Sequence, residues 1–308
     1  MIRRYGYACI NMTLSDGVKP KDKVFTGRGT ILRLASIKKC SELAMQNVRD
    51  LGTILRWNVE RDILFFRIGS ELFPFMDHAE KGYTISDIER IAAIVRSLSE
   101  HGDFAREHDM RLEMHPGPYN CLASPKDEVV ENTIRCLEMH STVANLLGSG
   151  DELKINIHVG GTYGGDFEGT ADRFCQNFER LSPNLRGRLT VENDDRDSMW
   201  STQHLVELIH ARTGIPVTFD YHHWSLCNQG EPIREAAALA FDTWGDTIPT
   251  THFSSPREGS HPRAHADYID GQIDDLHQRE YDVMVEAKMK EKAVLHYLKG
   301  KTCAMHQS

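Results

Sequence analysis

Residues 111–120 read RLEMHPGPYN. The run from Arg111 to His115 alternates as a strand does, then stops against Pro116, Gly117 and Pro118. Proline lacks the N–H that a sheet ladder needs and fixes its own φ, so the strand ends there. His115 is therefore held by rigid backbone on one side and faces a loop on the other, a placement that suits a ligand. Ser124-Pro125 then opens a segment of helical spacing that runs toward Leu147 and closes at Gly148, after which KINIHVGG begins another strand. The unit is strand, loop, helix, strand.

That unit repeats along the chain. Strand-like runs occupy Arg4–Ile10, Ile63–Ile68, Arg111–His115, Lys154–Val159, Leu189–Glu192, Pro216–Asp220, Pro249–Phe253 and Asp282–Glu286. Helical spacing fills Ser41–Arg61, Ser86–His108 (with Ser86 and Glu89 as a capping box), 125–147, 170–181, 201–212, 232–242, 266–278 and 288–299. Eight such alternations are the pattern of an α/β fold, a single (β/α)8 TIM barrel. A doubly wound open sheet is the alternative. It ordinarily carries a Gly-rich turn after its first strand, and no GxGxxG is present. With no linker, repeat or low-complexity tract, residues 1–308 read as one domain, with a polar loop over Thr13–Arg33 and a tail from about residue 299 expected to be disordered.

Composition restricts the setting. No stretch approaches the roughly 18 apolar residues of a membrane span, and no apolar core follows the arginines of MIRRYGYACINM, so neither membrane nor signal peptide is expected. The seven cysteines form no CxxC pair. Reduced thiols and a cytoplasmic location follow. Net charge is −9, yet residues 1–40 hold nine cations against Asp16 and Asp22. Such a segment can bind phosphate locally, because charge acts within about a Debye length.

The strand ends carry the chemistry. Glu71 lies just beyond the second strand, His115 ends the third and His158 the fourth, and Glu192 ends the fifth. Asp220 and His223 end the sixth, His252 lies on the seventh with His261 and His265 in the loop after it, and Glu286 ends the eighth. In a barrel these ends converge on one face, where active sites sit. Buried carboxylates need a partner or a metal, and mixed imidazole and carboxylate ligands suit Mn²⁺, Zn²⁺ or Fe²⁺. Such a set exceeds the needs of one ion, so two or three divalent ions are expected. Close metal pairs serve phosphate-ester hydrolysis. Residue types alone leave sugar isomerisation or epimerisation open, and a non-catalytic relative as well.

The motifs GYACINMTL, RIGSELFPF, EMHPGPY, HVGGTYG, LTVENDD, FDYHH, THFSSP, RAHADYI and DVMVEAK, in that order from Tyr5 to Lys288, resemble the UV damage endonucleases of the UvdE type. The resemblance implies a TIM barrel related to endonuclease IV. It implies metal-dependent nicking of DNA immediately 5′ of UV photoproducts, and activity at abasic sites in some members. Carried over by motif, the metal ligands are His115, His158, Glu192, Asp220, His223, His252, His265 and Glu286, with Glu71 as a ninth where some members have His. The D-x-x-H spacing selects His223 over His222, and His222 and His261 fall behind the ligands or at the surface. Glu192, His252, Glu286 and Lys288 are the expected catalytic residues, Lys288 through phosphate. Tyr7 and Asn11 match positions near the lesion.

Two departures bear on substrate. Some members carry a lysine where Thr250 stands, and the family's HPGQY is HPGPY here, so Pro118 replaces an amide in the pair that wedges into the duplex and Tyr119 remains. Apolar side chains can wedge and kink DNA, but proline makes no amide hydrogen bonds. The expected partner is lesion-bearing double-stranded DNA, with the basic N-terminal segment contacting phosphate, and the chain is expected to be a monomer.

Overall fold

A computed structural model describes residues 1–19, 22–271, 273 and 279–305, the last four of these by backbone alone. Strands β1 (Ile2–Ala8), β2 (Phe65–Ile68), β3 (Arg111–Met114), β4 (Lys154–Ile157), β5 (Leu189–Glu192), β6 (Val217–Asp220), β7 (Thr250–Phe253) and β8 (Tyr281–Val285) close into one parallel barrel in chain order. All eight coincide with the runs read from the sequence.

Helices α1 (Ile37–Val59), α2 (Ile91–Glu107), α3 (Asp127–Leu146), α4 (Phe167–Phe178), α5 (Pro183–Arg188), α6 (202–213), α7 (Tyr221–Leu226), α8 (Ile233–Asp242) and α9 (Glu291–Met305) connect or follow them. α1 shows how the sequence builds its elements. Ser36 Oγ accepts from Lys39 N at 3.2 Å and caps its first turn. Val48, Leu51, Ile54 and Leu55 then recur on one face and are fully buried. Each such side chain contributes roughly 1.5–3 kcal/mol by leaving water.

Three expectations change. The capping box is formed by Thr84 and Asp87, whose Oδ2 accepts from Thr84 N and Oγ1, both at 2.8 Å, and α2 begins only at Ile91. Between β7 and β8, residues 266–271 form no helix. A short return pairs Pro256 with His265, and Ser255 Oγ accepts from Asp270 N at 2.8 Å; residues 272 and 274–278 lie outside the described chain. α9 continues to Met305, so most of the expected tail extends the helix, and residues 306–308 lie outside the described chain.

Strand alternation divides the side chains between the helical shell and the lumen. Tyr7, Phe66, Leu112, Ile155, Val191, Phe219 and Val283 face the helices and join the main core. Ala8, Phe65 and Met284 form a separate apolar layer inside the barrel. Gly6 makes room for it, since a Cβ there would run into the Phe65 backbone. Below this layer, at the N-terminal ends of the strands, Asp282 Oδ2 takes Arg4 Nη1 at 2.8 Å and Arg111 Nη1 at 3.0 Å. Above it lies the candidate site.

Candidate metal centre

The same alternation carries Arg67, Glu113, His115, Asn156, His158, Glu192, Asp220, His252 and Glu286 to the C-terminal mouth of the lumen. Register holds them level: Arg67 pairs with Glu113, and Asp220 with His252. Glu192 stands at the centre. Its Oε2 lies 3.3 Å from His115 Nε2 and 3.8 Å from His158 Nε2, and its Oε1 lies 3.1 Å from His223 Nδ1 and 3.0 Å from His252 Nδ1. His252 Nδ1 is also 3.9 Å from Asp220 Oδ2 and 3.6 Å from Glu286 Oε1.

Three sets of donors are close enough to share an ion. They are His115, His158 and Glu192; then Glu192, Asp220 and His223; then Asp220, His252 and Glu286. Adjacent sets share Glu192 or Asp220. Asp220 Oδ2 and His252 Nδ1 are buried and make no hydrogen bond. Polar atoms taken from water without a partner are costly, so lone pairs aimed into one space fit a cation.

Fixed ring orientations add to that fit. A carbonyl only accepts, so the nitrogen bonded to it carries the ring proton. His115 Nδ1 donates to Pro116 O at 3.1 Å, His223 Nδ1 to Asn193 O at 2.9 Å and His265 Nδ1 to Glu286 O at 2.8 Å. Each leaves Nε2 with its lone pair. His158 Nδ1 stands 3.1 Å from Asp194 Oδ1. Such outer partners set ligand geometry at metal sites. Asn193 also fastens β5 to β6, accepting from Asp220 N at 2.8 Å and donating to Asp220 O at 3.0 Å.

The electrostatics follow from this crowding. Burial opposes charge on Glu192, but His252, His158 and their neighbours hold its pKa well below the ordinary carboxylate value. Burial likewise opposes charge on His223, and Asp220 and Glu192 raise its pKa well above that of free imidazole. His158 is raised in the same way by Glu192 and Asp194, whereas burial lowers His115. Burial raises Asp220.

Of the nine ligand positions read from the sequence, seven lie in the three sets. His265 stands beside them, its Nδ1 3.8 Å from Glu286 Oε2. Glu71 does not join them: its side chain is exposed and lines a cavity of about 640 Å³ with His78, Tyr119 and His140. Of the two left aside, His222 is buried with its ring 5.7 Å from that of His265, and His261 is exposed.

Tyr7 and Asn11 are corrected more sharply. Odd positions of β1 face the helices, so Tyr7 is fully buried, donating to Asn58 Oδ1 at 2.8 Å and accepting from Asn11 Nδ2 at 2.8 Å. Neither offers surface to a ligand. Pro118 and Tyr119 are exposed, Tyr119 to 82%, on the loop that follows His115. Lys288 is exposed just past Glu286. Thr250 is buried on β7, its Oγ1 3.5 Å from Thr218 Oγ1.

The N-terminal cations are only partly available. Arg3 and Arg4 lie at the opposite end of the barrel and pair with Asp109, Arg28 pairs with Asp50, and Lys39 Nζ is 3.8 Å from Glu42. Lys19, Lys23, Arg33 and Lys38 are exposed, and Lys21 lies outside the described chain.

Sequence reading passed over Arg67, Glu113, Asn156 and Asp194. For Glu113 and Asn156 the signal was present, since a charged or amide residue inside an apolar strand, two before a strand-end ligand, shares its face; Arg67 and Asp194 carry no such spacing.

The model of the family described as UV-endonuclease UvdE matches residues 3–306. The chain is 32% identical over 309 aligned positions to a UV DNA damage endonuclease of Bacillus mycoides, covering 97% of this chain and 94% of that protein. It is similar to the crystal structure of SacUVDE, with a TM-score of 0.84, 32% identity and 96% of each chain covered. A D-psicose 3-epimerase of Clostridium cellulolyticum aligns with a TM-score of 0.53 and 13% identity over 77% of this chain and 80% of that one, a likeness of fold alone. No described helix is long and apolar enough to cross a membrane.

Proposed function

This chain belongs to the UV-endonuclease UvdE family and is an endonuclease acting on UV-damaged DNA, and we propose that it cleaves the phosphodiester immediately 5′ of the photoproduct at the mouth of its barrel. The observation that carries this reading is the run of three ligand sets joined through Glu192 and Asp220. Their residues, with His265, would hold two or three divalent ions, Mn²⁺ first and Zn²⁺ second. Such ions supply a water that ionises near neutral pH and offset charge on the phosphate oxygens.

The chain's own groups do the rest. Glu192, His252 and Glu286 fix the reacting centre from three strands, within reach of one another. Lys288, exposed just past Glu286, would take a phosphate oxygen. The loop bearing Pro118 and Tyr119 begins one residue past His115, so a wedge there displaces bases directly beside the centre. Lesions weaken stacking, and extruding a damaged nucleotide is easier by up to a few kcal/mol than extruding an intact one. Phosphate contacts hold the duplex without reading its sequence. Abasic sites fall within the same logic. We further infer that the chain works as a cytoplasmic monomer on double-stranded DNA.

The test is nicking of UV-irradiated supercoiled plasmid with Mn²⁺, with and without chelator. Nicking should require irradiation and metal and should map 5′ of the photoproduct. Equal nicking of unirradiated plasmid, or nicking that survives chelation, overturns it.

A further inference from the structure

His252 is held differently from the other histidines of the centre. His115, His223 and His265 are oriented by backbone carbonyls, and His158 faces Asp194. His252 has neither. It turns Nδ1 toward Glu192, Glu286 and Asp220, and Nε2 toward two side chains from the opposite side of the lumen. Arg67 Nη2 lies 2.6 Å from Nε2, and Glu113 Oε1 lies 3.5 Å from it.

An imidazole that gives its Nδ1 lone pair to a cation keeps its proton on Nε2, and that N–H needs an acceptor. Arginine has none to offer. Glu113 is therefore the acceptor at hand among the described residues. Its carboxylate is fully buried at the base of the centre. Arg67 Nε holds Oε1 at 3.0 Å, while Oε2 has no hydrogen-bond partner. Arg67 Nη1 is paired with Glu286. One guanidinium thus links the acceptor behind His252 with the carboxylate in front of it. Paired carboxylate, histidine and metal is an arrangement that sets ligand orientation and basicity.

We propose that Glu113, anchored by Arg67, is a positioning residue that accepts the Nε2 proton of His252 and so presents Nδ1 to the cation shared with Asp220 and Glu286. In the arrangement seen here Arg67 donates to Nε2, so cation binding requires Arg67 to yield that nitrogen to Glu113. Glu113 is fully buried and has no surface to offer DNA, so its effect is on the cation and not on DNA capture.

This rests on the reading of the centre as a divalent-cation site. The experiment is calorimetric titration of the full chain with Mn²⁺, alongside steady-state nicking. Glu113→Gln should weaken one Mn²⁺ site by 10–100-fold and leave the others near wild type. Its kcat should fall while KM for damaged plasmid stays within about twofold. Glu113→Asp keeps the charge and should recover part of the lost affinity. Wild-type Mn²⁺ affinity at every site in Glu113→Gln overturns the proposal. So does failure of both variants to fold, which would make Glu113 a purely structural group. If the wild-type chain takes up no Mn²⁺, the reading of the centre falls first, so the two failures are distinguishable.

Discussion

Asn156 Nδ2 donates to Glu192 Oε2 at 2.5 Å, and Thr190 Oγ1 donates to Asn156 Oδ1 at 2.8 Å. The central carboxylate is thus fastened from the neighbouring strand before any ion arrives. Glu192 reaches four histidines within 3.8 Å and so links ligands from four different strand ends. Glu192→Gln keeps the volume and removes the charge. The expected outcome is loss of Mn²⁺ binding and a fall in kcat of at least ~10³-fold, about 4 kcal/mol of transition-state stabilisation, with the far-ultraviolet circular dichroism of a folded barrel. Nicking within tenfold of wild type would remove Glu192 from the chemistry.

Proton release should accompany metal uptake. Burial works against charge on His223, yet Asp220 and Glu192 raise it well above the ordinary imidazole value, so it holds its second proton at neutral pH without metal, and Glu192 and Asp194 shift His158 in the same direction. A cation needs those lone pairs, so binding expels the protons. The sign follows: Mn²⁺ affinity rises with pH until the histidines have lost their protons. In the metal-free chain their stabilisation is full below the unfolded imidazole pKa and is lost as pH climbs through the raised folded values. Titration calorimetry at one pH in two buffers of different ionisation enthalpy checks this, and identical heats in both would refute it.

The sequence showed the barrel and most of the centre because both rest on local signals. Strand-end histidines and carboxylates are visible wherever an alternating run meets a breaker, as at His115 and Pro116. What it hid depends on which side a residue faces. Tyr7 lies in a motif expected near the lesion, but the alternation of β1 turns it into the shell beside Asn58. Glu71 sits just past a strand end like its neighbours, yet its side chain is exposed and stands outside the three ligand sets. Arg3 and Arg4 add to a basic count, yet they lie at the far end of the lumen, where Arg4 meets Asp282. Net charge carries no geometry, and Arg67 and Glu113 gain meaning only when the barrel closes.

Tyr7 should therefore report on stability. Its hydroxyl serves Asn58 and Asn11 in a dry interior. Tyr7→Phe leaves both amides short of a partner, at a cost of roughly 1–3 kcal/mol. Urea unfolding of metal-free protein should show the midpoint falling with the slope unchanged. An unchanged midpoint would mean that the hydroxyl is not engaged as described.

Tyr119 should behave in the opposite way. Its ring is 82% exposed and its removal disturbs no core. Base–aromatic stacking amounts to ~1–3 kcal/mol per base, so Tyr119→Ala should weaken binding of photoproduct duplex by roughly 10–100-fold. Mn²⁺ affinity and thermal midpoint should stay at wild-type values. Beside it, Pro118 offers an apolar body and no hydrogen-bonding side chain. Pro118→Gln restores an amide next to the stacking ring, and the ratio of nicking rates between photoproduct and abasic duplexes should shift. An unchanged ratio across a lesion panel would show that the proline has no part in discrimination. Loss of Mn²⁺ binding in either variant would make this loop part of the metal centre rather than of the DNA-contacting surface.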